Sequence, residues 1–158
     1  GGGSTEINLI SEGELKSSRS YNIGTVRMLS GMVKNEEKEQ MHTDLEVLAK
    51  EYAPIHIIGS GGNINKLFRL ADKKDKKQLF LPLASLQDIY RTLKDLPKEQ
   101  RIKLFKLKPD RADVIVPAAE IFMEVATRVQ ANGIIVPTIG LSDGIIDSLY
   151  TKNRQWMQ

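Results

Sequence analysis

The chain contains no cysteine in its 158 residues, and it has no long apolar run. Without cysteine it has neither disulfide bonds nor thiolate metal sites, and a reducing compartment such as the cytoplasm is the expected location. No run approaches the roughly 20 consecutive apolar residues of a membrane helix. The glycine-led start does not have the pattern of a signal peptide. We therefore expect no membrane partner.

An excess of charge of one sign is also absent. The chain has 23 basic and 20 acidic side chains, a net charge of +3. A dedicated nucleic-acid binder concentrates positive charge on one face, so no specific nucleic-acid partner is expected, although an anionic ligand is allowed. The densest basic cluster, DKKDKK at residues 72–77, contains interleaved aspartates and no aromatic residue. This composition favours a solvated loop over a polyanion site.

The composition that is present predicts one globular domain over residues 1–158, with 41% hydrophobic and 27% charged residues. Alternation in EINLI, residues 6–10, followed by a turn and the mixed run LKSSRSYNI, predicts an antiparallel hairpin. Helical spacing of apolar residues then predicts two helices, over residues 25–33 and 38–53.

The second part of the chain alternates apolar runs with helical patterns. Residues 55–71 predict a buried strand, a glycine turn and a helix, and residues 133–140 predict a second buried strand. Between them lies a helical insertion of about 85–130, whose last helix is capped by Asp110 and forms the central packing element. A final helix is predicted after the second strand. The fold class is α/β, with a mixed sheet flanked by helices.

Three turns are rich in glycine: GGGST at residues 1–5, GSGGN at 59–63 and IGLSDG at 139–144. Glycine lets backbone N–H groups converge on a ligand, and a following helix adds its positive dipole end, so such turns suit phosphate. Each turn also has a structural interpretation. GGGST is also typical of a flexible linker. GSGGN is also typical of a tight turn. For IGLSDG, a role in packing is favoured over phosphate binding.

Five motifs occur in the order and approximate spacing of the exopolyphosphatase and guanosine pentaphosphate phosphatase family: GGGSTEI, NIGTVRML, IGSGGNINKL, LKPDRADVIVPAAEIF and GLSDGIIDSLY. The chain resembles this family over nearly its whole length. The resemblance implies an actin-like (ribonuclease H-like) fold, in which two lobes enclose a cleft. The chain resembles only the second lobe, with the first strand truncated. The implied partner is therefore the missing first lobe, which carries the catalytic glutamate, and this fragment alone is expected to be inactive.

The resemblance implies that Gly1, Gly2, Gly3 and Ser4 form a phosphate loop of backbone donors and one hydroxyl. A valine at Gly3 should then deny the backbone conformation and the close approach that phosphate needs. Glu6 matches an acidic position that helps to hold magnesium or the attacking water, and its alternative is an exposed strand carboxylate. Because Mg²⁺ needs several oxygens, including those of substrate and water, Glu6 is expected to be one ligand among several.

A second phosphate loop is implied at Ser60, Gly61, Gly62 and Asn63. Relatives usually have threonine where Asn63 stands, and the amide of Asn63 can instead cap the following helix.

Two arginines are further candidates for phosphate binding. Arg27 is expected either to bind phosphate or to pair with a helix carboxylate, and the pairing, which is a structural role, is favoured. For Arg111, capping and ion pairing within its Asp-Arg-Ala-Asp motif are the default, and phosphate contact is the alternative.

The implied function is a phosphohydrolase that removes the terminal phosphate from inorganic polyphosphate or guanosine pentaphosphate (pppGpp) by metal-assisted water attack. A kinase-like nucleotide-binding lobe of the same superfold and a non-catalytic module that binds guanosine alarmones are the alternatives. The residues do not discriminate between the two substrates. The oligomeric state, with a homodimer among the options, stays open.

Overall fold

The computed structural model describes residues 2–137, which form two small sheets and six helices in an α/β arrangement. The predicted turn at residues 139–144 and the predicted final helix lie outside the described residues, as does Gly1. In chain order the elements are β1 (Thr5–Ser11), β2 (Glu14–Tyr21), α1 (Thr25–Leu29), α2 (Asn35–Tyr52), β3 (Ile57–Ile58), α3 (Gly62–Leu70), β4 (Phe80–Pro82), α4 (Leu83–Lys94), α5 (Lys98–Phe105), α6 (Pro109–Arg128) and β5 (Gly133–Ile135).

The predicted hairpin is confirmed, with β1 and β2 paired antiparallel from Thr5 opposite Tyr21 to Ser11 opposite Glu14. The two turn residues, Glu12 and Gly13, have φ angles of 54° and 79°. Positive φ angles at both central residues are required by a type I′ turn, and the twist of this turn matches that of two antiparallel strands. This match explains why two residues are enough to close the hairpin.

The second sheet has three strands in the order β3, β5, β4, with β5 parallel to β3 and antiparallel to β4. The predicted mixed sheet flanked by helices is therefore confirmed in small form. Strand β4 was not predicted, because its apolar run is only three residues long and ends at Pro82. Proline cannot donate to a sheet ladder and argues against a strand unless it lies at an edge, which is where β4 lies.

Helix α6 is the central packing element that its apolar stripe predicted. One buried cluster joins it to α3, α4 and the three-stranded sheet, through residues that include Ile64, Leu67, Leu81, Leu86, Leu93, Ile115 and Ile134. A second cluster joins its last turns to the hairpin and α2, through Tyr21, Ile23, Met41, Leu45, Ala126 and Val129. Helices α4, α5 and α6 occupy the range assigned to a helical insertion, and that they are an insertion stays a prediction.

Two helix predictions are corrected by the structure. Helix α1 ends at Leu29, four residues earlier than predicted, and Gly31 follows with φ of 67°. That prediction took Val26, Leu29 and Met32 as the buried face of a helix. All three side chains are more than half exposed in the structure, so this buried face does not form. Helix α6 begins at Pro109, with Lys108 in the N-cap position, and Asp110 lies inside the first turn and is not its cap.

Within residues 2–137, no helix is both long enough and apolar enough to cross a lipid bilayer. The lysine cluster is not a uniformly solvated loop either, because Lys74 Nζ donates to the carbonyl oxygens of Phe68 and Arg69, each at 2.7 Å. Lys74 thereby satisfies carbonyl groups at the end of α3 that would otherwise lack a donor. Burial lowers the pKa of this lysine, as expected for a cation held against the protein surface.

One polar contact fixes the hairpin on α2. The hydroxyl of the buried Tyr21 donates to Asp44 Oδ2 at 2.7 Å, and Gln40 Nε2 donates to the other carboxylate oxygen at 2.8 Å. Arg19 Nη1 lies 3.7 Å from Oδ2. Burial and this hydrogen bond to an anion both raise the pKa of Tyr21, so the phenol stays protonated and remains the donor.

Replacing Tyr21 with phenylalanine should lower the free energy of unfolding by about 1–2 kcal/mol, because a hydrogen bond to a charged acceptor is lost while the ring stays buried. Urea unfolding of the full-length protein measures this change. Arg19→Met is the matched control, and since Arg19 is mostly exposed and less closely paired, it should change stability by less than about 0.5 kcal/mol. Equal losses in the two variants would contradict the role given to Tyr21.

Candidate phosphate site

The first glycine loop is packed against the first turn of α1. The carbonyl oxygen of Gly2 accepts hydrogen bonds from the backbone N–H groups of Val26 at 3.0 Å and Arg27 at 3.4 Å. Thr5 Oγ1 donates to the carbonyl oxygen of Ile23, just before that turn. These contacts hold residues 2–4 as part of the fold, and the interpretation as a flexible linker does not apply to them.

Gly24 is the position that lets the two segments approach. A β-carbon there would lie 2.4 Å from the carbonyl oxygen of Gly2 and 2.6 Å from the carbonyl carbon of Gly3, both backbone atoms. Gly3 itself has open space where a β-carbon would lie, and it does not have a left-handed φ. The expectation that valine at Gly3 would deny the backbone conformation is therefore wrong, while its effect on the close approach of phosphate stays a prediction. The overlap with backbone atoms lies at Gly24.

Arg27 holds this loop from the other side. Its Nε donates to the carbonyl oxygen of Gly3 at 2.6 Å, and Arg27 is not among the residues that line the cavity described below. The structural role favoured for Arg27 thus has a concrete partner, which is a loop carbonyl and not the helix carboxylate that was expected. A phosphate contact by Arg27 stays a prediction.

The second glycine loop ends at the N-terminus of α3. Gly61 has φ of 121°, a conformation that requires glycine, and α3 begins at the next residue. The first hydrogen bond of the helix runs from Asn65 N–H to the Gly61 carbonyl, at 3.1 Å. The N–H groups of Gly62, Asn63 and Ile64 have no acceptor within residues 2–137, and no side chain caps the helix. Three donors therefore stand at the positive end of a helix dipole, an arrangement that favours an anion.

Asn63 does not cap α3, and this prediction is wrong. Its Oδ1 instead accepts a hydrogen bond from Arg111 Nη1, a contact between residues 48 positions apart. The same guanidinium covers Gly62, where a β-carbon would lie 2.4 Å from Nη2. Arg111 therefore connects the start of α6 to the second glycine loop, and a side chain at position 62 would displace it.

Both loops line one cavity of about 720 Å³, which we call the loop cavity. Its polar lining includes residues from both predicted loops, from β1 and from the start of α6: Gly2, Ser4, Glu6, Ser60, Gly61, Gly62, Asn63, Asp110 and Arg111. The rest of its wall is mainly apolar and includes Ile57, Ile58, Val114, Ala118, Ile121 and Phe122. Gly3 and Arg27 do not line it. The fold thus brings together the residues predicted from segments more than 50 positions apart.

Glu6 is one of two acidic residues of this lining, the other being Asp110. It is exposed, and its Oε1 accepts hydrogen bonds from Ser4 Oγ at 2.7 Å and Ser20 Oγ at 3.1 Å. The bond from Ser4, and to a lesser extent that from Ser20, lowers the pKa of Glu6, so the carboxylate is ionised at neutral pH. Sequence reasoning missed Ser20, although hairpin pairing could have found it, because Ser20 lies directly opposite Glu6.

Magnesium needs more oxygens than these residues supply. Within residues 2–137, no group of three histidine, cysteine, aspartate or glutamate residues could surround a metal ion. Glu6 and the Ser4 hydroxyl are adjacent oxygen ligands. Mg²⁺ is usually bound by one or two carboxylates only together with substrate phosphates and water, so these two groups do not hold it by themselves. The chain alone therefore does not contain a complete magnesium site among its described residues.

The fold and the loop cavity define an α/β domain in which two glycine loops and an uncapped helix N-terminus meet. The chain belongs to the Ppx/GppA phosphatase family, whose sequence profile matches residues 1–153. The family resemblance carried by the five motifs is thereby confirmed. Among curated proteins, none matches the chain closely enough to count as a relative.

Several solved structures have a fold similar to that of this chain. A Ppx/GppA phosphatase of Aquifex aeolicus, in its type II variant, is 27% identical and superposes with a TM-score of 0.68 over 94% of this chain and 54% of that one. A second structure of the Aquifex aeolicus family member, also 27% identical, has a TM-score of 0.66 over 97% and 55%. An exopolyphosphatase from Cytophaga hutchinsonii, at 22% identity, shares the fold with a TM-score of 0.71 over 96% and 55%. The chain thus spans a little over half the length of these proteins.

Proposed function

We propose that the full-length protein is a phosphohydrolase that removes the terminal phosphate from inorganic polyphosphate or guanosine pentaphosphate, and that this chain is its phosphate-binding lobe. The observation that carries the proposal is the meeting of both glycine loops in one cavity beside the uncapped N-terminus of α3. Family membership supplies the reaction class. The Cytophaga hutchinsonii structure is that of an exopolyphosphatase, which supports polyphosphate as a substrate.

The donors of the second loop suit a phosphoryl group. A transferring phosphoryl group carries negative charge on its outer oxygens, and preorganised N–H groups stabilise such charge without reorganisation during the reaction. The N–H groups of Gly62, Asn63 and Ile64 meet this requirement, because the helix leaves them without acceptors among the described residues. Their role is to bind and orient the phosphate.

Beside the first loop, the side chains of Ser4 and Glu6 place oxygen atoms at the loop cavity. Ser4 has one hydroxyl proton, and this proton is directed at Glu6 Oε1. Ser4 must therefore rotate its hydroxyl before it can donate to phosphate. Both Ser4 and the ionised Glu6 carboxylate line the loop cavity. In our proposal, Glu6 supplies one carboxylate ligand to a magnesium ion whose other ligands are substrate and water. Such an ion neutralises charge on the phosphoryl oxygens.

The apolar part of the loop cavity does not suit a polyanion. It lies between β1, which among the described strands pairs only with β2, and β3, which pairs with β5. We propose that a strand of the full-length protein, from the segment preceding Gly1, fills this space and joins the two sheets into one. This arrangement is the second lobe of an actin-like fold with its first strand truncated. The polar end of the cavity then remains as the phosphate site, facing a first lobe that carries the catalytic glutamate.

Steady-state assays of the full-length protein with magnesium test the proposal. We expect phosphate release from inorganic polyphosphate or guanosine pentaphosphate, with little release from ATP. Transfer of phosphate from ATP to a second substrate, without release of free phosphate, would instead support a kinase-like lobe. Saturable binding of guanosine pentaphosphate without turnover would support a non-catalytic alarmone-binding module.

A further inference from the structure

The side chain of Asn63 lines the loop cavity and is held by a hydrogen bond from Arg111. The Asn63 side chain has an acceptor oxygen and an NH₂ group with two protons, and the oxygen is already used by Arg111 Nη1. A guanidinium contains only donors, so the amide atom that faces Arg111 must be the oxygen. The amide orientation is therefore determined by Arg111, and the NH₂ group is the end of Asn63 that has no acceptor within residues 2–137.

Arg111 is committed to the loop by two contacts. One nitrogen of its guanidinium bonds to Asn63, and the guanidinium also lies over Gly62, where it leaves no room for a β-carbon. The neighbouring carboxylate of Asp110 does not bond to this guanidinium; its Oδ1 accepts a hydrogen bond from the Arg111 backbone N–H at 3.0 Å. The guanidinium is thus aimed at Asn63 and at the loop backbone.

We infer that Asn63 is a phosphate-binding residue whose side-chain NH₂ donates to a phosphoryl oxygen, and that Arg111 is a positioning residue which orients this amide. The inference rests on the proposed function of the loop cavity. It adds one side-chain donor next to the three N–H groups that begin α3, in the same residue that supplies one of those N–H groups. Asn63 thereby binds the anion through its backbone and its side chain together.

The variant Asn63→Asp tests the donor directly. Aspartate has the same shape and keeps an acceptor for Arg111, but it replaces the NH₂ group with an anionic oxygen. In the full-length protein we expect KM for polyphosphate to rise roughly tenfold to a hundredfold, because a hydrogen bond to a charged group is replaced by repulsion. We expect kcat to change less than about threefold, since the contact is present before and during the reaction. An unchanged KM in a folded variant would overturn the inference.

The positioning role of Arg111 requires a double-mutant comparison. Arg111→Met should raise KM in the parent protein, because the amide is no longer oriented. If Arg111 acts through Asn63, the same change in an Asn63→Ala background should alter KM by no more than about twofold. Multiplicative effects of the two changes would show that Arg111 binds phosphate independently and would overturn its positioning role. Circular dichroism and the thermal midpoint establish that each variant is folded.

A measurement on the unsubstituted full-length protein does not depend on variant folding or on turnover. The side-chain ¹H–¹⁵N signals of Asn63 are followed during titration with inorganic phosphate, with chloride at matched ionic strength as control. We expect a saturable shift with phosphate alone, and no shift would overturn the inference. Because this readout needs no hydrolysis, it separates failure of the Asn63 assignment from failure of the proposed phosphohydrolase activity.

Discussion

Replacing Gly24 with alanine should lower phosphate release by the full-length protein roughly a hundredfold to a thousandfold, while the protein remains folded. The added β-carbon would lie 2.4 Å from the Gly2 carbonyl oxygen and 2.6 Å from the Gly3 carbonyl carbon. These are backbone atoms, so no side-chain rotation relieves the overlap, and the loop of residues 2–4 must move away. Ser4 and Glu6 then lose their position relative to the second loop, and displacing preorganised groups from the developing charge costs about 2.7–4 kcal/mol.

The measurement is kcat/KM for polyphosphate and for guanosine pentaphosphate, with circular dichroism to check the fold. Ser30→Ala is the matched control, because Ser30 is exposed and lies at the opposite end of the same short helix. We expect parental rates from the control. A folded Gly24→Ala protein that hydrolyses both substrates at the parental rate would show that the first glycine loop does not contribute to catalysis.

The second large effect is expected on stability, at Gly133→Ala. Gly133 begins the central strand β5 opposite Pro82, and a β-carbon there would lie 2.3 Å from the carbonyl oxygen of Leu81 and 2.5 Å from the ring of Phe80. Either β4 must separate from β5 or the strand must shift in a core that is buried on both faces. We expect a loss of about 3 kcal/mol or more in the free energy of unfolding, at the upper end of the range for overpacked cores.

Urea unfolding compared with the parent protein measures this loss. The neighbouring Asn132→Ala is the control, because its side chain is exposed and the contribution of Asn132 to the sheet is a backbone carbonyl that accepts from Leu83 N–H at 2.8 Å. Alanine keeps that carbonyl, so we expect a change of less than about 0.5 kcal/mol. If Gly133→Ala unfolds at the same urea concentration as the control, the assigned packing of β4 on β5 is wrong.

Local patterns predicted the hairpin and the long helices α2 and α6, for reasons that act within a few residues. Alternation separates two faces of a strand, and apolar residues three or four positions apart form one face of a helix. The same rule failed for α1, where the apolar spacing continues past Ser30 and Gly31 but the helix does not. It also missed β4, whose three residues are too few to show a period.

The candidate site was predicted in its parts but not in its connections. Glycine content and the family motifs indicated both loops. The sequence did not show that Gly24 has no room for a side chain beside the first loop, that Arg27 bonds to the Gly3 carbonyl, or that Arg111 bonds to Asn63. Each of these facts joins residues that lie far apart along the chain, and no local pattern encodes such a contact.

The sequence by itself therefore determined the α/β class, the identity of the family and the two glycine loops, because composition, periodicity and motifs are properties of contiguous residues. Only the tertiary structure decided which groups face one another. It directed the proton of Ser4 at Glu6, turned the amide oxygen of Asn63 toward Arg111, and left three N–H groups at the start of α3 without acceptors among the described residues. The physical reason is that a hydrogen bond depends on distance and direction in space, which are fixed only when distant segments pack together.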